Sequence, residues 1–369
     1  MRFDVCVVGG GIAGISVAAL LARTQRVVLL EREAHLAMHS SGRSAALYLE
    51  SYGNVAVRAL TSASRDFYLA EHDGRVLTQP RGALYLADAA QLAALGELEA
   101  ELTAESPAIH RIEPAEALRL CPALRPERLA GALLDPLARD IDVAGALDHY
   151  ARLYRARAGE LVRNAEVRAL GETEGLWRIE TAAGTFSAAT LINAAGAWAD
   201  ELARLAGVRP LGLTPRRRTA ARVAAEGWSI AAWPCVADAT EQWYFKPDAG
   251  ALLLSPADET PSAPCDAHPE DEDVALAIDR VEQATQLSIG RPLASWAGLR
   301  TFASDRTPVV GFDARARGFF WFAGQGGYGI QMAPALAALA AEWILTGEPP
   351  RGALPGVDPA ALSPARFSA

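Results

Sequence analysis

Gly9, Gly11 and Gly14, in the string GGGIAG, close one apolar run and open another, which gives the spacing GxGxxG at a strand-to-helix turn. At such a turn the backbone amides of a helix N-terminus can reach a pyrophosphate, and the missing side chains let it approach. Glu31 ends a second apolar run about twenty residues further on, where a carboxylate can accept a ribose hydroxyl. The glycines alone would also suit simple helix packing. With the flanking runs and the acid at that distance they point to a bound dinucleotide, NAD or FAD, which the fingerprint does not separate. His39 to Ser44, HSSGRS, is a small polar stretch after the second run. It is either an ordinary polar loop or a segment able to approach an isoalloxazine ring.

The elements that must position these residues follow from periodicity. Residues 3 to 8 predict a strand, Gly9 to Gly14 a turn, Ile12 to Arg23 an apolar helix and Arg26 to Leu30 a second strand, a βαβ opening. Residues 55 to 120 read as mostly helical, with alanine-rich windows at Ala89 to Leu102 and Pro114 to Leu120 and one strand at Gly82 to Leu86. Val143, Leu147, Tyr150 and Leu153 recur at helical spacing and predict a helix over 143 to 158. From Leu161 to Asn193 the pattern alternates, with Trp177, Ile179 and Thr181 on one face, and ends in a loop from Ala194 to Trp198. Arg216 to Val223 and Trp243 to Leu254 alternate again, as in an antiparallel sheet. Residues 256 to 274, rich in Pro, Asp and Glu, predict a solvated surface loop. Phe319 to Ala323 is a strand, GQGGYG a turn and Ile330 to Leu345 a helix. Nucleotide-domain pieces therefore occur at both ends and in the middle. The fold class is α/β, with a discontinuous Rossmann-like domain (1–48, 140–212, 297–369) and a second α+β domain with an antiparallel sheet (49–139, 213–296).

Composition narrows the partners. The 369 residues suit two domains, and 51% hydrophobic content suits a large core. A net charge of -9 with dispersed arginines argues against nucleic acid. Cys6, Cys121, Cys235 and Cys265 lie far apart with no CxxC pair, so neither a disulfide framework nor a metal site is expected, and a cytoplasmic location fits best. The start, MRFDVCVVGGGIAG, is unlike a signal peptide. Ala333 to Leu345, the longest apolar stretch near the C-terminus, contains Pro334 and Glu342 and is too short to span a bilayer.

Together, GGGIAG, LERE, HSSGRSAA, NAAGAWAD, RPLGLTPRRR, WYFKPDAG, WAGLR and FFWFAGQGGYGIQ resemble, in this order, the FAD-dependent D-amino acid oxidase superfamily. Within it they most resemble the bacterial D-arginine dehydrogenases. The resemblance implies that Ser44 and Ala45 lie near flavin N5, and Gly326, Gly327, Tyr328, Gly329, Ile330 and Gln331 near the pyrimidine end of the ring. It implies further FAD contacts from Ile12, Ala13, Arg32, Ser40, Ser41, Gly42, Arg43, Val167, Ala195, Gly196 and Trp198. Glycines allow close approach, and the dipole of the last helix favours an anionic reduced flavin. GQGGYG holds no His or Cys, so non-covalent FAD is expected; His39 alone keeps a covalent link open.

By the same resemblance, Arg300 and Tyr244 hold a substrate carboxylate, for which a guanidinium fork and a phenol are well suited. An ion pair elsewhere and a core tyrosine are the competing readings. Arg218 and the backbone of Gly327 match positions near the substrate. In a strand Arg216 and Arg218 share a face opposite to Arg217, so one of the triplet faces the pocket. Tyr52, next to Gly53, matches a tyrosine on a mobile lid, against an exposed loop aromatic. Catalysis would remove the α-hydrogen as hydride to N5 from a neutral amine, and the imine would hydrolyse to a 2-oxo acid and ammonia.

The departures from the pattern concern specificity. Ala83 stands where D-arginine-specific relatives carry a glutamate, and Leu47, Leu49 and Cys235 replace a histidine, a threonine and a methionine. A guanidinium placed there would be desolvated without its carboxylate. Neutral, apolar D-amino acids are therefore expected, with a secondary amine of the sarcosine or proline type, or a flavin-binding redox module without this turnover, as alternatives. Lys246, on the face of Tyr244, does not match the lysine some relatives place near flavin, so oxidase and dehydrogenase stay open, with oxygen, a quinone or a protein as electron acceptor.

Overall fold

The computed structural model describes residues 1–350, 352 and 354–367; residues 351, 353, 368 and 369, which the expected nucleotide domain includes, lie outside the described residues. The strand Arg2–Val8 lies between two parallel neighbours, Val27–Leu30 and Gly184–Asn193. Glu160–Val162 extends this sheet beyond Val27–Leu30, and Phe319–Ala323 runs parallel to the end of Gly184–Asn193. Val27–Leu30 and Phe319–Ala323 are buried throughout, which is why they read as unbroken apolar runs rather than alternations. One face is covered by the helices Ile12–Leu21, Val143–Ala156 and Gly329–Thr346, the other by Ala199–Leu205 and an antiparallel layer carrying Trp177 and Ile179.

Gly329–Thr346 is, among the described residues, the one helix long and apolar enough to cross a membrane by length and composition. It is longer than the stretch read from 333 to 345, and its apolar residues pack in the core against Ile12–Leu21.

A second, ten-stranded sheet runs Gln325–Gly326, Ala294–Phe302, Thr214–Val223, Ala251–Ser255, Tyr244–Asp248, Cys235–Asp238, Ala83–Ala87, Gly131–Asp135, His110–Ile112, with Thr260–Pro261 paired beside Thr214–Val223. Its register sorts side chains by face. Leu84, Val236, Phe245, Leu254 and Ala221 turn into a core with the helix Asp271–Ala284. Paired residues share a face, so Arg300, Arg216 and Arg218, Tyr244 and Lys246, Cys235 and Ala83 project from the other one. The boundary expected at 297 falls inside the strand Ala294–Phe302.

Two other expectations change. Residues 55 to 120 contain helices Val55–Ala63, Leu92–Glu105 and Pro114–Leu120 and the expected strand as Ala83–Ala87, but 71 to 80 add short strands, Glu71–His72 paired with Arg75–Val76 nearby and Thr78–Pro80 with Arg139–Ile141 far along the chain. Residues 256 to 274 are not simply a solvated loop. Asp258 accepts hydrogen bonds from the Thr219 amide at 2.7 Å and hydroxyl at 3.1 Å. Asp271, Glu272 and Asp273 then begin a helix whose dipole favours acids in its first turn.

Candidate active site

The two sheets enclose a cleft of about 550 Å³, within the size range of cofactor sites. At one end is the glycine turn. Gly9 has φ +108°, and a Cβ on it would lie 2.4 Å from the Ala194 carbonyl oxygen; one on Gly14 would lie 1.8 Å from the Gly9 oxygen. Strand, turn and helix therefore close only with glycine there. Glu31 is buried and accepts from the Gly10 amide at 2.7 Å and the Glu33 amide at 2.9 Å, which fixes its carboxylate beside the turn. The Ser41 hydroxyl accepts from the Ile12 amide at 3.0 Å, drawing the HSSGRS segment over the helix N-terminus. Arg32 lies 4.6 Å from the Trp198 ring centre, and His39 packs on the same ring at 4.8 Å.

Gly9, Gly11, Ile12, Ala13, Glu31, Arg32, Ser40, Ser41, Arg43, Ser44, Ala45, Val167, Ala195, Gly196, Trp198, Gly326, Gly327, Gly329 and Ile330 line the cleft, as do Arg218, Tyr244 and Arg300. Gly14 and Gly42 stand behind it, in close approach to Gly9 and Ala37. Gln331 turns away, its amide bonded to the Leu49 backbone and the Thr61 hydroxyl. Tyr328 is buried against Tyr52 and Phe302. His39 Nδ1 and Thr301 Oγ1 are buried on the cleft without a hydrogen-bond partner. Unsatisfied polar atoms and close backbone approach along one groove fit a large polar cofactor such as FAD. Among the described residues no cluster of His, Cys, Asp and Glu could hold a metal ion.

Arg300 marks the other end. Its Nη1 donates to the Tyr52 hydroxyl at 3.2 Å, and Tyr52 packs edge-on against Tyr328 at 5.0 Å. Desolvation opposes the Arg300 charge, but Tyr52 and Tyr244 outweigh it and push its pKa up. Arg216 and Arg218 do share a face, with Arg217 opposite, bonded to Glu270 and Asp273 on the helix side. Arg218 is held by the segment after 256: its Nε donates to the Asp258 carbonyl at 2.8 Å and its Nη2 to Glu259 at 3.3 Å. Glu259 also takes a two-pronged contact from Arg306, at 2.8 and 2.9 Å, whose guanidinium lies 4.1 Å from the Phe302 ring centre. Burial pushes the Glu259 carboxyl up, yet Arg306, Arg218 and Arg300 hold it below the ordinary glutamate range. Sequence reading missed Glu259 and Arg306; the only signal was an acid in a segment rich in Pro, Asp and Glu.

Leu47, Leu49, Ala83 and Cys235, expected as pocket wall, do not line the cleft. They pack on one another with Tyr85, Leu133 and Tyr52; Ala83 and Cys235 are only 3% exposed and Leu49 8%. Burial pushes the Cys235 thiol up to about 12, so it is no nucleophile. Lys246 is buried behind the same wall, 2.7 Å from Asp140, which Arg81 also contacts at 2.6 Å.

Fold and cleft thus define a dinucleotide-binding α/β protein with an arginine at the far end of the cleft. The chain belongs to the FAD dependent oxidoreductase (DAO) family, whose model matches residues 4–343. Mitochondrial dimethylglycine dehydrogenase of Mus musculus is 27% identical over 95% of this chain and 43% of its own length. Glycine oxidase of Geobacillus kaustophilus is 26% identical over 93% of each chain. The chain spans less than half the length of the dimethylglycine dehydrogenases it matches. In structure, glycine oxidase from Geobacillus kaustophilus superposes with a TM-score of 0.84 at 22% identity over 99% of both chains. L-proline dehydrogenase from P. horikoshii does so with 0.82 at 21%, over 100% of this chain and 98% of the other. These two show the fold. The family resemblance therefore stands, while the relatives named here lend no specific support to the narrower one, to the D-arginine dehydrogenases.

Proposed function

We propose that this chain oxidises a small amino acid at its amine, with a secondary amine of the sarcosine type preferred over D-amino acids bearing large side chains. The observation that carries this reading is the closed wall. Leu49, Ala83 and Cys235, which the sequence reading assigns to the substrate side chain, pack on one another and on Tyr85, and opening a packed core to admit D-leucine there costs several contacts at once. Glycine and its N-methyl derivatives need no such space. The names of the relatives, glycine oxidase and dimethylglycine dehydrogenase, lean the same way.

In this reading Arg300 takes the substrate carboxylate as a charge-assisted, two-pronged pair. Tyr52 accepts a hydrogen bond from the guanidinium on one side and Tyr244 offers a second donor from the sheet. Gly327 leaves the space above the guanidinium free of a side chain. Bound FAD would supply the oxidising power for loss of two electrons from the C–N unit. The residues act by orientation, and no side chain has to remove the carbon-bound proton. Relative kcat/KM for glycine, sarcosine, N,N-dimethylglycine, D-alanine and D-leucine with an artificial electron acceptor tests the reading. Sarcosine should lead; a lead for D-leucine would restore the apolar D-amino acid reading.

A further inference from the structure

The substrate end of the cleft carries more positive charge than one carboxylate needs. Arg300 and Arg218 project from the same sheet face, because Arg216 pairs with Arg300 and Arg218 lies two residues on. Diagonal neighbours of this kind lie within reach of long side chains. Arg306, one turn past the end of the Arg300 strand, approaches the same place over Phe302. Among the described residues Arg300 forms no ion pair; its hydrogen bond goes to the Tyr52 hydroxyl.

Arg218 and Arg306, by contrast, are both occupied by Glu259. Pairing of Arg216 with Pro261 and of Arg217 with Thr260 brings Glu259, the residue before that strand, beside Arg218, whose Nη2 donates to it at 3.3 Å. Its two oxygens take both prongs of Arg306, and one is shared with Arg218. Glu259 and Arg306 stand behind the cleft wall, and Glu259 reaches the cleft through Arg218, which lines it and would otherwise be free for a second substrate carboxylate.

We infer that Glu259 is a specificity-determining residue: by occupying Arg218 and Arg306 it leaves Arg300 as the single carboxylate anchor and restricts the site to amines with one carboxylate. This inference rests on the proposed small-amine reading. A dicarboxylic amine would have to place its second carboxylate beside Glu259, where like charges in a partly buried site repel strongly. Removing the charge while keeping the shape, as in Glu259→Gln, frees Arg218, which lines the cleft, to receive that second carboxylate.

Sarcosine and iminodiacetate form the test pair, since they differ by one carboxylate, and kcat/KM for both is measured on wild-type and Glu259→Gln holoenzymes. The wild type should favour sarcosine. In the variant the iminodiacetate-to-sarcosine ratio should rise on the order of 30-fold, and an unchanged ratio would overturn the inference. Calorimetric Kd values for butanoate and glutarate, the amine-free analogues, read the same preference without turnover. Wild-type protein should bind butanoate more tightly than glutarate, and the variant should reverse or erase that order. Tighter glutarate binding by the wild type would also overturn the inference, even if the variant failed to fold. Were the wild type to oxidise neither amine, the proposed function would fail on its own, and the butanoate-to-glutarate comparison would still decide the role of Glu259.

Discussion

A Cβ on Gly327 would lie 2.7 Å from Nη1 of Arg300 and 2.8 Å from its Cζ. The guanidinium therefore rests on bare backbone, and its position depends on the absence of that one carbon. Gly327→Ala should push Arg300 off its mark and lower kcat/KM on the order of 100-fold, the scale of a 1 Å misplacement in an oriented site. FAD content should stay at wild-type level. Steady-state kinetics with a flavin-to-protein absorbance ratio check both; near-normal kcat/KM would mean that Arg300 does not anchor substrate.

Arg300 itself gives a second prediction. Arg300→Met removes a charge-assisted pair and leaves a carboxylate desolvated, a loss of about 3 kcal/mol or roughly 100-fold in kcat/KM. Tyr52→Phe loses only the 3.2 Å hydrogen bond to Arg300, and about 1 kcal/mol, or roughly fivefold, should follow. Equal effects of the two substitutions would mean that Tyr52 does more than steady the guanidinium.

What was legible in the sequence was local. GxGxxG, the apolar strands around it and Glu31 lie within one βαβ unit, and the opposite facing of Arg217 follows from the two-residue period of a strand. The substitutions at Leu47, Leu49, Ala83 and Cys235 were visible too, but their consequence was not. Whether apolar residues bound a pocket or close it depends on four strands brought into register from distant parts of the chain. Tyr52 and Arg300 are 248 residues apart. Glu259 looked like part of a solvated loop because nothing near it in sequence carries the arginines that bury it.

The cofactor link is a third prediction. Non-covalent FAD should leave with the supernatant when holoenzyme is precipitated with acid, as GQGGYG carries no His or Cys. Flavin remaining with the pellet would point to His39, whose Nδ1 is buried on the cleft without a hydrogen-bond partner, and mass spectrometry of the peptide containing it would locate the bond.

Asp135 gives a pH dependence. Burial raises its carboxyl above the ordinary 3.8, in spite of hydrogen bonds from Ser51 and from the Leu137 and Ala138 amides. The folded state then holds a proton that the unfolded state has released, so this group's contribution to stability is full below pH 3.8 and is lost as pH rises through the raised value. Asp135→Asn removes the titration. The Tm of wild type relative to the variant should therefore fall on going upward through that window; a relative rise would mean that the carboxylate is stabilised, not penalised, by its surroundings.

Arg300 should present only a small amino acid to the flavin. Anaerobic mixing of the holoenzyme with sarcosine or with D-leucine, followed at the flavin absorbance band, measures this without an electron acceptor. Sarcosine should bleach the flavin with a second-order rate constant on the order of 100-fold above that for D-leucine, the scale of one repacked core site. Faster bleaching by D-leucine, or none with sarcosine, would contradict it.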